Sequence, residues 1–232
     1  MKQKLLILFV FLAITTVRSQ EVSFTTGTNF TQYNLKNPES YVGTPLQSGT
    51  GSFYEIGYLL PSGKEKLKYD FGIGLNEYNA LAGTLANSYK WTTKYLGIRA
   101  GFEYEFVDIY NVKLVPLIGM NFFSIIYGKQ ETNGAVYDIS NNSEFSGLKL
   151  MPYLGFKAKY RIKDYGYISI GYNHSVSFKP SLTNKEYLTI ATNQIVFGLH
   201  LTIYHNSVNV LFVWFDDLLL LDEPNPTHVL MF

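Results

Sequence analysis

Between Lys94 and Phe106 the chain reads KYLGIRAGFEYEF, and its side chains alternate strictly in character. Leu96, Ile98, Ala100, Phe102, Tyr104 and Phe106 are apolar or aromatic, whereas Gly97, Arg99, Gly101, Glu103 and Glu105 lie between them. A period of two is that of a β-strand, whose successive side chains point to opposite faces. The same alternation recurs in KYDFGIGLN, where Tyr69, Phe71, Ile73 and Leu75 oppose Asp70, Gly72, Gly74 and Asn76. It returns in LMPYLGFKAKYRI and in QIVFGLHLTIY. Eight such segments are predicted, near residues 21–33, 50–60, 67–78, 90–106, 111–128, 148–162, 166–178 and 192–204. Each has one greasy face and one made of glycine, small and charged residues.

The joins alternate as well. PSGKEK, VDIY and IKDYG are tight turns, while the joins at 34–49, 78–89, 129–147 and 179–191 are long, polar and not expected to pack. An even number of antiparallel strands with turns at one end and loops at the other is the layout of a transmembrane β-barrel. The predicted fold is therefore all-β: an eight-stranded antiparallel up-and-down transmembrane barrel over residues 20–205. In lipid every backbone N–H and C=O must find a partner within the protein, so the sheet must close and its outside must be apolar. A ring this small has an interior just wide enough for side chains. Glycines such as Gly72, Gly97, Gly101 and Gly155 make room there, and Arg99, Lys157 and Lys159 are expected to pair with Glu55, Asp70, Glu103 and Glu105. Mixed signs follow because an unpaired buried charge is strongly destabilising. This interior network is structural, and it is the site the pattern predicts.

Composition agrees with strands. Charged residues are 16% of the chain, below the roughly 25% of soluble domains, while 19 Tyr, 17 Phe and 19 Gly favour sheet over helix. A net charge of +1 gives no bulk reason to expect nucleic acid. Residues 1–19 carry Lys2 and Lys4, an apolar run from Leu5 to Ile14 and a small Ser19, the layout of a secretory signal peptide. With no cysteine, neither a lipid-modified N-terminal Cys nor a disulfide framework is available. Aromatics gather near predicted strand ends, with Tyr69, Tyr104, Phe106, Tyr110, Tyr160, Tyr165 and Tyr204 toward the turns. Tyr78, Tyr89, Trp91, Tyr127 and Phe178 lie toward the loops, so that two interfacial girdles are expected. Pro116 and Pro152 fall inside strands of a ring without free edges, which predicts bulges or broken ladder bonds. Residues 206–232 carry no Lys or Arg and break the alternation; they are read as an extension of unclear structure.

VPLIGMNFF, MPYLGFKAKY and YGYISIGYNHSVSF each set a glycine amid an aromatic-rich strand. In this they resemble small, porin-like outer-membrane barrel proteins of Bacteroidetes-type bacteria, which are architectural relatives of the OmpA and OmpX barrels. The resemblance implies the bacterial outer membrane, contact with its lipid and assembly by the outer-membrane insertion machinery; it implies no activity. Barrel deacylases resemble one another in a His-x-Ser pair on the outward face, but here Val176 holds the position where His174 would need its serine. His174 and Ser175 alternate to opposite faces. No cofactor, metal or phosphate-loop pattern is present in the sequence. The expectation is a non-enzymatic membrane protein with a structural or surface-recognition role, its long loops available to an extracellular ligand. A narrow ion or solute channel, a lipid-modifying enzyme and a soluble lipocalin-like carrier are the readings set beside it.

Overall fold

A computed structural model describes residues 20–35, 46–64, 66–83, 88–178 and 188–203. The signal-peptide reading of residues 1–19 and the extension at 206–232 lie outside the described residues, as does Tyr204. The strands are β1 (Gln20–Leu35), β2 (Leu46–Pro61), β3 (Leu67–Gly83), β4 (Ser88–Tyr104), β5 (Val107–Ile109), β6 (Val112–Thr132), β7 (Ala135–Asp138), β8 (Leu148–Ile162), β9 (Gly166–Val176) and β10 (Leu188–Ile203). The long strands pair in the order β1, β2, β3, β4, β6, β8, β9, β10, and β10 hydrogen-bonds back to β1, so the ring is closed. No helix among the described residues is long and apolar enough to cross a membrane. The fold is an antiparallel barrel of eight long strands, with β5 and β7 as additions the sequence pattern did not predict.

Each addition has a local cause. Asn133 and Gly134 both have positive φ, 47° and 85°, the geometry of a two-residue hairpin turn, and it folds β7 back on the end of β6 with Thr132 facing Ala135. β5 continues β4 beyond a break at Glu105 and Phe106, pairing with the base of β6.

Both prolines fall at interruptions. The β6–β8 ladder runs in register through Pro116 opposite Phe156. On its other side pairing passes from Leu117–Glu103 to Leu114–Val107, which places Pro116 at the break between β4 and β5. Pro152 is paired with Met120 on β6, but toward β9 the ladder lapses between Tyr153–Ser175 and the Leu150–Phe178 bridge without a change of register. A missing N–H costs one ladder bond in each case and the ring survives it.

The alternation divides inside from outside. Phe71, Ile73, Ile98, Phe102, Ile118, Phe156, Ile170 and Phe197 are exposed on the barrel wall, while Asp70, Arg99, Glu103, Lys157 and Lys159 are buried. Apolar outside and polar inside is the reverse of a lipocalin, which needs its greasy face inward.

Toward the loops, however, this polarity inverts within single strands. On β3 the outward series Tyr69, Phe71, Ile73, Leu75 gives way to Glu77 and Asn79, with an exposed Leu81 near the strand end, and the inward series Asp70, Gly72, Gly74, Asn76 gives way to Tyr78, Ala80 and Ala82. On β4 the same inversion falls between Leu96 and Lys94 outside and between Gly97 and Tyr95 inside. A wall that is greasy outside belongs in lipid, and one that is greasy inside belongs in water. The strands therefore rise past the bilayer as a water-exposed collar.

This corrects the outer girdle. Tyr78 and Trp91, expected at the lipid interface, are 1% and 3% exposed inside the collar, and Tyr89 packs partly against the same cluster. Tyr127 and Phe178 do face outward. On the turn side Tyr69, Tyr104, Phe106, Tyr110, Tyr160 and Tyr165 are all exposed.

Candidate functional site: a layered interior and its mouth

Strand parity delivers charges of both signs to the turn-side half of the lumen. Arg99 Nη2 on β4 meets Asp70 Oδ2 on β3 at 2.6 Å and Glu55 Oε1 on β2 at 2.9 Å. Its guanidinium carbon lies 5.5 Å from the centre of the Tyr153 ring. That ring reaches from β8 across the facing pair Gly101 and Gly119, where a Cβ on either glycine would collide with the phenol. Lys157 binds Glu103, whose other oxygen is 3.0 Å from Lys159 Nζ. Lys159 continues to Glu21 Oε2 at 3.1 Å, and Glu21 pairs with Lys68. Lys68 reaches Glu105 Oε1 at 2.8 Å, and Glu105 Oε2 reaches Lys113 at 2.5 Å. The result is an alternating chain of cations and carboxylates beside a separate Glu55–Arg99–Asp70 triad.

All seven charged residues singled out in the sequence, Arg99, Glu103, Glu105, Glu55, Asp70, Lys157 and Lys159, thus lie in the lumen, distributed between these two groups. Glu21, Lys68 and Lys113 were missed. Their signal was parity alone: Glu21 alternates with Val22 and Phe24, Lys68 with Tyr69, and Lys113 with Val112 and Leu114. His200 is also buried, its Nε2 2.9 Å from Ser169 Oγ.

Above the charges lies an amide layer. Gln194 Nε2 donates to Asn29 Oδ1 at 2.7 Å and to Asn76 Oδ1 at 3.1 Å, and Asn29 Nδ2 donates to the Glu77 carbonyl at 2.9 Å. The collar core follows. The Tyr33 hydroxyl donates to the Tyr78 carbonyl at 2.7 Å, and its ring packs edge-on to Phe145 at 5.9 Å. Tyr78 packs against Tyr95 and Phe123 with ring centres 5.6 and 6.5 Å apart.

Phe145 and Ile139 come from the loop between β7 and β8, and both are buried. The Tyr95 hydroxyl donates to the Phe145 carbonyl at 3.3 Å, and Lys149 Nζ donates to the Glu144 carbonyl at 2.9 Å. The expectation that this polar loop stays unpacked is therefore corrected, because two apolar residues within it fill the barrel mouth. The β6–β7 hairpin before it is different: Val136 and Tyr137 are each 57% exposed. At its base Ser140 donates to Asp138 from its hydroxyl (2.6 Å) and its N–H (2.8 Å), bonds that hold the Asp138 carboxyl below the usual range.

The deacylase geometry is not assembled. Ser175 is buried in the lumen and His174 is exposed on the outer wall.

A closed antiparallel ring with an apolar outer band, an aromatic turn-side rim and a charged lumen is a transmembrane β-barrel of the bacterial outer membrane, and that membrane is its location. No protein-family model matches the sequence, and no curated protein matches it. Among solved structures the chain is similar to Neisserial surface protein A, with 10% identity and a TM-score of 0.48 over 78% of this chain and 96% of that one. It is similar to the outer membrane protein OprG from Pseudomonas aeruginosa at 12% identity and a TM-score of 0.41, covering 80% and 98%. A third is Ail, the attachment invasion locus protein of Yersinia pestis, solved in complex with the heparin analogue sucrose octasulfate. It has 12% identity and a TM-score of 0.39, covering 78% and 98%. At these identities nothing of their roles passes to this chain.

Proposed function

We propose that the protein is a non-enzymatic, non-conducting outer-membrane barrel that acts through its extracellular surface, with a structural or recognition role. The observation that carries this reading is the hairpin of β6 and β7. It presents Val136 and Tyr137 to water, and exposed apolar side chains on a projecting hairpin are the kind that bury on a partner. The lumen supports the same reading by default, being occupied from the charged layer through the amide layer to the aromatic core. Its partners would then be outer-membrane lipid, the machinery that assembles barrels and an extracellular ligand at the hairpin, with no part for nucleic acid. The closer likeness to Bacteroidetes-type and OmpA- or OmpX-like barrels is part of the proposal, supported by the aromatic strands around Gly119, Gly155 and Gly171.

The test uses the full barrel in lipid nanodiscs against arrays of immobilised glycans and extracellular peptides. The wild type binds at least one feature, and a Val136→Ser/Tyr137→Ser variant loses it while keeping its heat-modifiable gel mobility. Absence of binding by the wild type, or equal binding by the variant, would contradict the recognition role.

A further inference from the structure

One part of the outer wall breaks its apolar band. On β9 the outward residues rise from Ile168 and Ile170 to Tyr172 and His174, and on β10 Asn193 stands directly opposite His174. The three are bonded together: Asn193 Oδ1 accepts from the Tyr172 hydroxyl at 2.6 Å and lies 2.8 Å from His174 Nδ1. The cluster lies level with the amide layer, since Gln194 and Asn173, the inward neighbours of Asn193 and His174, bond to each other and Gln194 bonds to Asn76. Val176 and Phe178 continue β9 above it and are exposed and apolar. On the neighbouring strand Leu154, paired with His174, is 63% exposed, and Leu148 is exposed six residues nearer the loops. Apolar wall lies below the cluster on β9 and β10 and beside it on β8, whereas above Asn193 on β10 stand only Ala191 and Thr189; the cluster therefore marks the upper edge of the apolar band, the depth at which lipid headgroups lie.

Its hydrogen-bonding capacity indicates the partner. Asn193 Oδ1 is an acceptor, so His174 Nδ1 donates to it. That bond fixes the ring with Nε2 turned away from Asn193, and the Asn193 amide N–H groups remain donors. Among the described residues, the outward positions of β8, β9 and β10 carry no carboxylate. Amide donors beside an imidazole, with no carboxylate among the outward neighbours, suit a phosphate oxygen. Nearer the turns, a groove of about 700 Å³ runs along the same face, lined by Phe24, Thr26, Ala158, Ile168, Phe197 and Leu199.

We infer that the β8–β9–β10 face holds one phosphate-bearing lipid of the outer leaflet, its phosphate on His174 and Asn193 and an acyl chain in the groove. Tyr172 positions Asn193. The site is independent of the hairpin and of what the hairpin binds.

The full barrel in detergent is offered phosphatidic acid and diacylglycerol with identical acyl chains, and retained lipid is counted by native mass spectrometry. The wild type retains one phosphatidic acid with a preference of about tenfold, the worth of a charge-assisted hydrogen bond. His174→Leu/Asn193→Leu, which adds only apolar groups to a lipid-facing wall and so spares the fold, removes the preference. Ala158→Phe, which fills the groove, lowers retention of both lipids. Equal retention of the two lipids by the wild type, or an undiminished preference in the double variant, would overturn the site. So would a chemically cross-linked dimer that the double variant converts to monomer without a change in lipid, since the strip would then be an interface between two copies.

Discussion

Arg99 separates two carboxylates on neighbouring strands, touching Asp70 at 2.6 Å and Glu55 at 2.9 Å with one nitrogen. Removing it strands like charges in a lumen where water cannot solvate them. Arg99→Met should therefore destabilise the folded barrel by about 3–5 kcal/mol, the cost of breaking a buried pair from one side. Urea titration in detergent, read by gel mobility, measures this. The triple variant Arg99→Met/Asp70→Asn/Glu55→Gln should recover much of the loss, because the triad then holds no carboxylate without its cation. An unchanged midpoint for the single variant would contradict the pairing. The lumenal placement of Arg99 was legible, since alternation assigns a face with one residue's precision. Its actual partners were legible only as a list, because parity says nothing about reach across the ring. Lys159 and Glu21 are 138 positions apart in the chain. Lys68 follows the charged turn PSGKEK, where a lysine reads as solvated.

At the scale of elements, the eight long strands were legible and the change of solvent along them was not. The inversion at Asn76–Glu77 and Lys94–Tyr95 was written in the sequence, yet the aromatic residues beyond it suit either a lipid interface or a core. Only burial separates the two, and it assigns Tyr78 and Trp91 to a core. The Asn133–Gly134 turn was likewise visible as a dipeptide, hidden by the polar stretch around it. That stretch also conceals Phe145 and Ile139, whose burial ties the loop to the barrel. Phe145→Ala should remove about 3–5 kcal/mol of packing and free the 139–147 segment. Limited proteolysis of proteoliposomes should then cut the variant there and spare the wild type; equal resistance would mean that Phe145 does not hold the loop.

For the whole molecule, one rule accounts for both halves of the wall. Below the inversion, lipid demands a greasy outside and the lumen takes the charges; above it, water demands a polar outside and the lumen takes the aromatics. The same strands thus serve as a membrane barrel and as a water-soluble β-barrel stacked end to end. The collar raises the hairpin clear of the bilayer, which is what a surface role requires. The absence of cysteine from the chain makes the boundary directly measurable. Single cysteines placed along β4 from position 90 to 104, labelled with an environment-sensitive fluorophore in liposomes, can be quenched by nitroxides on lipid chains or by iodide in water. Labels at 96, 98, 100 and 102 should be quenched from lipid, and those at 90, 92 and 94 from water. Lipid quenching that persists through 94 and 92 as strongly as at 98 would contradict the account.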